Sequence, residues 1–212
     1  MTKFYVVRHG QSLGNSLRKF FGHTDHGMTE LGHSQGIKTG EYLKDKGIEA
    51  LYSSDLPRAL DTAKHIGEQI GLEPKAYTEL REIYAGEWEG KYFDDLLEKY
   101  PNYRNVWKED IGRVVCDGGE SASQLLERAK RIFEEIAKNN PDTTVCVATH
   151  ATVIRVMCCL WQGRPLEDAK DIPWVSNASV TEVTYDAGTW HLEVMGYDKH
   201  LQDLVSVLPA NV

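Results

Sequence analysis

The sequence predicts an α/β fold in three layers, a mostly parallel sheet flanked by helices with a small lid-like insertion. Short apolar runs of strand length alternate with stretches whose apolar residues recur every three or four positions, the pattern of a parallel sheet covered by helices. The run Val145-Cys146-Val147-Ala148 has no polar alternation, as a strand buried on both faces requires. At 212 residues the chain can bury one real core but leaves little for a second, so residues 1–212 are expected to form a single domain.

Taken in order, Phe4-Tyr5-Val6-Val7 is the first strand. A helix follows Thr29 as N-cap and is expected to end near Gly47, where a left-handed cap suits glycine. Ala50-Leu51-Tyr52 is a short strand. Beyond Ser54-Asp55, the positions Leu56, Leu60, Ala63, Ile66 and Ile70 mark one helical face, with Pro57 in the first turn and Gly71 past the end. Ser121-Ala122-Ser123-Gln124 has the form of a capping box, and Leu125, Ala129, Ile132, Phe133 and Ile136 trace the buried face of the helix it opens, which Pro141 stops. A helix over residues 153–160 follows the Val145 strand. Residues 178–185 and 189–196 flank Asp186-Ala187-Gly188 as a hairpin. The least patterned part, residues 84–118, interleaves Tyr84, Trp88, Tyr92, Phe93, Tyr100, Tyr103 and Trp107 with charges and is taken as the lid-like insertion.

A net charge of −8 opposes any broad nucleic-acid or anionic-membrane surface, so an anionic substrate needs a local cationic pocket. No stretch approaches the length of a bilayer span and no signal-peptide pattern opens the chain, which makes a cytoplasmic protein the expectation. Cys116, Cys146, Cys158 and Cys159 form no C-x-x-C pair and are expected as buried thiols. His23, His26 and His33 have spacings that fit no common metal motif, and Gly10 and Gly14 do not complete a dinucleotide loop.

Arg8-His9-Gly10 follows the first strand directly, and Thr149-His150-Ala151 follows the Val145 strand in the same way. In open α/β sheets ligands bind at the carboxyl ends of strands, so the two histidines can meet in one crevice. A lone histidine there would be a structural one. Arg58, in the first turn of its helix, brings a second guanidinium to the same edge, and guanidinium groups match phosphate oxygens in bidentate geometry. Standing alone, Arg58 would be an ion-pair partner of Asp55 or Asp61, and Glu82 a partner of Arg81.

These residues lie in segments that together resemble the histidine phosphatase superfamily, in its phosphoglycerate mutase-like branch. The resemblance covers roughly residues 3–160. It begins with Arg8-His9-Gly10-Gln11-Ser12-Leu13-Gly14-Asn15 and continues through Leu51-Tyr52-Ser53-Ser54-Asp55-Leu56-Pro57-Arg58-Ala59. Leu80-Arg81-Glu82-Ile83 with Gly86-Glu87-Trp88-Glu89-Gly90 comes next, then Gly118-Gly119-Glu120-Ser121, then Thr149-His150-Ala151-Thr152-Val153-Ile154-Arg155. The resemblance implies that His9 takes the phosphoryl group on a ring nitrogen, that Arg8, Arg58 and His150 surround its oxygens with Asn15 as a further donor, and that Glu82 protonates the leaving oxygen. It implies no metal and no cofactor. Gln11, Thr24 and the amide of Ala151 complete the expected binding set. One departure is that Ala151-Thr152 stands where the family shows a pair of glycines; alanine keeps its amide, while Thr152 adds a β-branched hydroxyl beside the pocket.

Three functions compete at this point: a phosphomonoesterase acting on a small phosphorylated metabolite, a 2,3-bisphosphoglycerate-dependent phosphoglycerate mutase, and a non-catalytic module that holds a phosphorylated ligand. From Lys91 to Gly118 there are three lysines and two arginines against six acidic residues, a poor platform for a doubly phosphorylated intermediate, so the phosphatase is the expectation. The terminal hairpin leaves a homodimer open.

Overall fold

The computed structural model describes residues 1–107 and 109–206. Six strands form one sheet in the order β3-β2-β4-β1-β5-β6. They are β1 (Thr2–Arg8), β2 (Ala50–Ser54), β3 (Lys75–Tyr77), β4 (Thr144–Thr149), β5 (Val180–Asp186) and β6 (Thr189–Tyr197). The pairs β3/β2, β2/β4 and β4/β1 are parallel, whereas β5 runs antiparallel to β1 and to its hairpin partner β6. The expected parallel sheet is therefore its centre, with an antiparallel edge supplied by the hairpin.

The helices are α1 (Leu13–Leu17), α2 (Glu30–Leu43), α3 (Pro57–Ile70), α4 (Phe93–Lys99), α5 (Ala122–Asn139) and α6 (Ala151–Trp161). Alternate residues of β1 and β4 feed two cores. Phe4, Val6, Val145 and Val147 pack with α5 and α6, while Tyr5, Val7, Cys146 and Ala148 pack with Leu43, Ala63 and Ile66 on the other face. α3 starts with Pro57 at its first position and stops at Gly71, whose φ of 73° is the left-handed cap its sequence called for. The box predicted at α5 is present, Ser121 accepting the Gln124 N–H while the Gln124 side chain accepts the Ser121 N–H. α2 begins after Thr29 as expected but ends at Leu43, short of Gly47, in a turn closed by the Lys46 N–H on the Leu43 carbonyl at 3.0 Å.

Residues 84–118 differ most from expectation. Trp88, Phe93, Leu96, Tyr103, Ile111 and Val114 are buried in the same core as α5 and α6, so much of the segment is a packed wall. It holds α4 and several single turns, each burying one or two large side chains, which leaves no sustained period to read. All four cysteines are buried and free. Among the described residues no helix is long and apolar enough to cross a membrane.

Candidate active site

The pairing of β1 with β4 sets Arg8 opposite Thr149, and the next residue of each strand is a histidine. The His9 N–H donates to the Thr149 carbonyl at 2.9 Å, and the His9 and His150 rings lie 5.2 Å apart, 4% and 0% exposed. A Cβ on residue 10 would run into the Gly32 carbonyl, so only glycine lets this loop lie so close to α2. His9 Nδ1 is 2.7 Å from the Gly10 carbonyl oxygen. That oxygen can only accept, so Nδ1 carries the proton and Nε2 keeps a lone pair. His150 Nε2 is 2.8 Å from Ser54 Oγ, which already accepts the Leu56 N–H at 3.2 Å. His150 Nδ1 is buried without a partner among the described residues. Burial, with the arginine charges added, holds both histidines well below the ordinary imidazole pKa, and both rings are neutral at neutral pH.

Arg8 donates through Nη1 to the Val175 carbonyl at 2.6 Å and leaves Nε buried and unpaired. Burial lowers its pKa to about 10 against the opposing pull of Glu82, so it stays charged. Arg58 spends its terminal donors on protein: Nη1 on Thr24 O at 3.1 Å and Asp25 Oδ2 at 2.7 Å, Nη2 on Phe21 O at 3.2 Å and Gly22 O at 2.7 Å. Its ion-pair partner is Asp25, not Asp55 or Asp61. Asp55 instead takes Arg81, at 2.6 Å from Nε, which leaves Glu82 without the partner its neighbour in sequence offered. The Glu82 carboxylate accepts the Ile83 N–H at 2.8 Å and the Thr152 N–H at 3.2 Å and is 7% exposed.

Arg8, His9, Asn15, Arg58, Glu82 and Ala151 line one cavity, with about 50 Å³ of room for water-sized groups, several water positions in extent. Asn15 is oriented by three donors on its Oδ1, from the Ser12 N–H, the Ser12 hydroxyl and Asn177 Nδ2. Gln11, Thr24 and His150 are not among the residues that line this cavity. The helical turn after Ser12 sends Gln11 Oε1 to the Thr29 hydroxyl at 2.9 Å, and Thr24 serves through its backbone, its carbonyl on Arg58 and its N–H on Glu89. The three set-aside histidines do not converge; His23 meets the Glu82 carbonyl at 2.9 Å, His26 packs on Phe21, and His33 meets His65 at 2.9 Å. Among the described residues no three His, Cys, Asp or Glu side chains come together as a metal site.

The outer wall is formed by Phe93 and Trp107, both within the segment taken as the lid-like insertion, and by Phe20, Phe21 and Trp174, which sequence reasoning missed, with Lys19 as its cation. Sequence reasoning also missed Asn177 and the pairing of Asp25, a residue that the resemblance sets beside Thr24 near the substrate entrance, with Arg58. Asn177 donates to the His9 carbonyl at 3.2 Å, and its neighbour Ala178 donates its N–H to the same oxygen at 3.1 Å. No local pattern marks these residues, because each is brought in by a distant part of the fold.

A neutral imidazole with a free lone pair, two guanidinium groups, a second neutral imidazole and a carboxyl group at one sheet edge define an α/β enzyme of phosphoryl chemistry. The histidine phosphatase superfamily (branch 1) matches residues 4–198, and the chain belongs to that family. It is 32% identical over 163 residues, 77% of each chain, to phosphoserine phosphatase 1 of Hydrogenobacter thermophilus. It is 31% identical over 202 residues to phosphoglycerate mutase-like protein 4 of Arabidopsis thaliana, covering 93% of this chain and 86% of that one. The structure of a mycobacterial glucosyl-3-phosphoglycerate phosphatase complexed with VO3 superposes with a TM-score of 0.86 at 28% identity, over 92% of this chain and 99% of that one.

Proposed function

We propose that this enzyme hydrolyses a small phosphomonoester through a phosphohistidine on Nε2 of His9. The observation that carries the reading is the bond from His9 Nδ1 to the Gly10 carbonyl, which leaves Nε2 as the nucleophilic atom beside two arginines and a carboxyl group. In the first step the Nε2 lone pair attacks phosphorus, the ester P–O bond breaks, and the protonated Glu82 carboxyl group gives its proton to the leaving alkoxide. In the second, Glu82 takes a proton from water as the water oxygen attacks phosphorus. The P–N bond breaks, inorganic phosphate leaves, and His9 recovers its lone pair. Arg8, the Nε–H of Arg58, His150, the Asn15 amide and the Ala151 N–H hold the oxygens as charge shifts among them. These groups supply the positive charge, so the reaction needs neither metal nor cofactor.

The small cavity and its aromatic outer wall fit a small substrate, with residues 84–118 contributing Phe93 and Trp107 as part of the cover. Among the described residues the mouth presents Lys19 as its cation beyond the phosphate groups, which suits a singly phosphorylated substrate better than a bisphosphate. We place the enzyme in the cytoplasm, with the β5–β6 edge as the surface for a homodimer if one forms. Two assays test the reading. Turnover of para-nitrophenyl phosphate excludes a binding module, and its absence would overturn the enzyme. With 3-phosphoglycerate and catalytic 2,3-bisphosphoglycerate, release of phosphate supports the phosphatase; rapid formation of 2-phosphoglycerate with negligible phosphate would make the enzyme a mutase.

A further inference from the structure

The segment Gly118-Gly119-Glu120-Ser121 and the distant Arg128 lie outside the catalytic cavity, yet they are tied to Glu82 by a dense set of bonds. Arg128 Nε donates to Glu120 Oε1 at 2.7 Å. Its Nη1 donates to the carbonyls of Glu79 at 2.8 Å and Arg81 at 2.7 Å. Its Nη2 donates to the Glu82 carbonyl and to Glu120 Oε2, both at 2.8 Å. A guanidinium has five N–H donors, and all five are used. Glu120 extends the grip: Oε2 accepts the Tyr84 N–H at 3.1 Å, and its own N–H donates to the Tyr84 carbonyl at 2.8 Å. A Cβ on residue 119 would collide with that carbonyl, so glycine there is what lets the two backbones meet. Both charged side chains are largely buried, 15% and 14% exposed.

The backbone on both sides of Glu82 is thus fixed from behind, whereas the Glu82 carboxylate itself is held by two N–H groups alone. We propose that the Arg128–Glu120 pair is the positioning element of the general acid, setting where the Glu82 carboxyl group meets the leaving oxygen. The inference rests on the acid role proposed for Glu82. Proton transfer demands hydrogen-bond reach at the transition state, so a carboxyl group set loose by its backbone loses rate on esters that need the proton and little on those that do not.

A second carboxylate supplies the contrast. Glu89 accepts the N–H groups of Gly22 at 3.1 Å, His23 at 2.8 Å, Thr24 at 3.0 Å and Ala85 at 3.1 Å. It steadies the loop whose carbonyls hold Arg58, and Arg58 serves every phosphoester alike.

The test is the ratio of kcat/KM for para-nitrophenyl phosphate to kcat/KM for an alkyl phosphate such as glycerol phosphate, in the full-length enzyme and in Glu82→Gln, Arg128→Lys, Glu120→Gln and Glu89→Gln. The ratio is independent of the fraction of enzyme that folds, since both substrates report the same active molecules. Lysine keeps the charge at position 128 but not the five-donor fork. Arg128→Lys and Glu120→Gln are expected to raise the ratio about tenfold, less than Glu82→Gln does, while Glu89→Gln slows both substrates equally. A wild-type ratio in both clamp variants alongside a raised ratio in Glu82→Gln would overturn the proposal and leave the acid intact. A rise of similar size in Glu89→Gln would overturn it too, because any loosening of the site would then give the same signature. An unchanged ratio in Glu82→Gln would remove the acid role first, and this inference with it.

Discussion

Asp25 and Arg58 meet at 2.7 Å with side chains 5% and 1% exposed, and Asp25 also accepts the Arg58 backbone N–H at 3.3 Å. One carboxylate therefore fixes both the first turn of α3 and the guanidinium it carries. Removing one partner of a buried pair leaves the other charge unsatisfied, so Asp25→Ala should lose about 3 kcal/mol or more of stability. Urea unfolding measures this, and a midpoint equal to wild type would show that the pair is not structural.

His9→Ala should abolish turnover, since no other group in the cavity pairs a lone pair with this placement. In the intact enzyme a phosphoryl group should be trapped on His9 by rapid quenching without acid. Turnover at the wild-type rate in the variant would rule out the nucleophile.

Glu82→Gln should reduce kcat/KM for alkyl phosphates by about a hundredfold or more while aryl phosphates with good leaving groups lose less than about tenfold. The carboxyl group lines the cavity and accepts the Thr152 N–H. Equal losses on both substrates would take the acid role away from it.

Stability should fall as the solution is acidified below about pH 6.5. Burial holds His9, His150 and His200 below the ordinary imidazole value, His200 at about 4. Between the folded and unfolded pKa values the unfolded chain binds more protons, so each such histidine favours the folded state above that window and progressively less within it. Urea midpoints from pH 7.5 down to 4 measure the slope, and His200→Gln should flatten it. A midpoint that holds constant over that range would contradict the burial of these rings as neutral groups.

Exhaustive chelation followed by dialysis should leave activity unchanged, because the cationic groups of the site are side chains. Activity that vanished and returned only with added metal would require a different chemistry.

The parts of the fold visible in the sequence are those with a local cause. The β4 run has uniform apolarity, α3 has its proline start and glycine stop, and α5 has its reciprocal cap. His9, His150 and Arg58 were visible because strand ends and a helix start announce them. The pairing of Asp25 was not, since its partner lies across the chain and nothing near it in sequence shows that it is buried. Gln11 shows how little adjacency in sequence says of orientation: it is two residues from His9, yet its side-chain oxygen accepts the Thr29 hydroxyl. Residues 84–118 gave no helical period because Phe93, Tyr103 and Trp107 are buried one turn at a time.

The pairing of β1 with β4 also has a consequence for how the enzyme comes to life. Phe4 is synthesised well before Val145, the strand partner it needs, and the two pair only after the long stretch between them has been made. Closing so large a loop is slow relative to forming local helices. His9, the nucleophile proposed above, is therefore made before the strand that completes its surroundings and stays inert until the middle of the sheet zips up. In a refolding experiment, returning activity is a clock for that closure, whereas helical signal reports the earlier, local events.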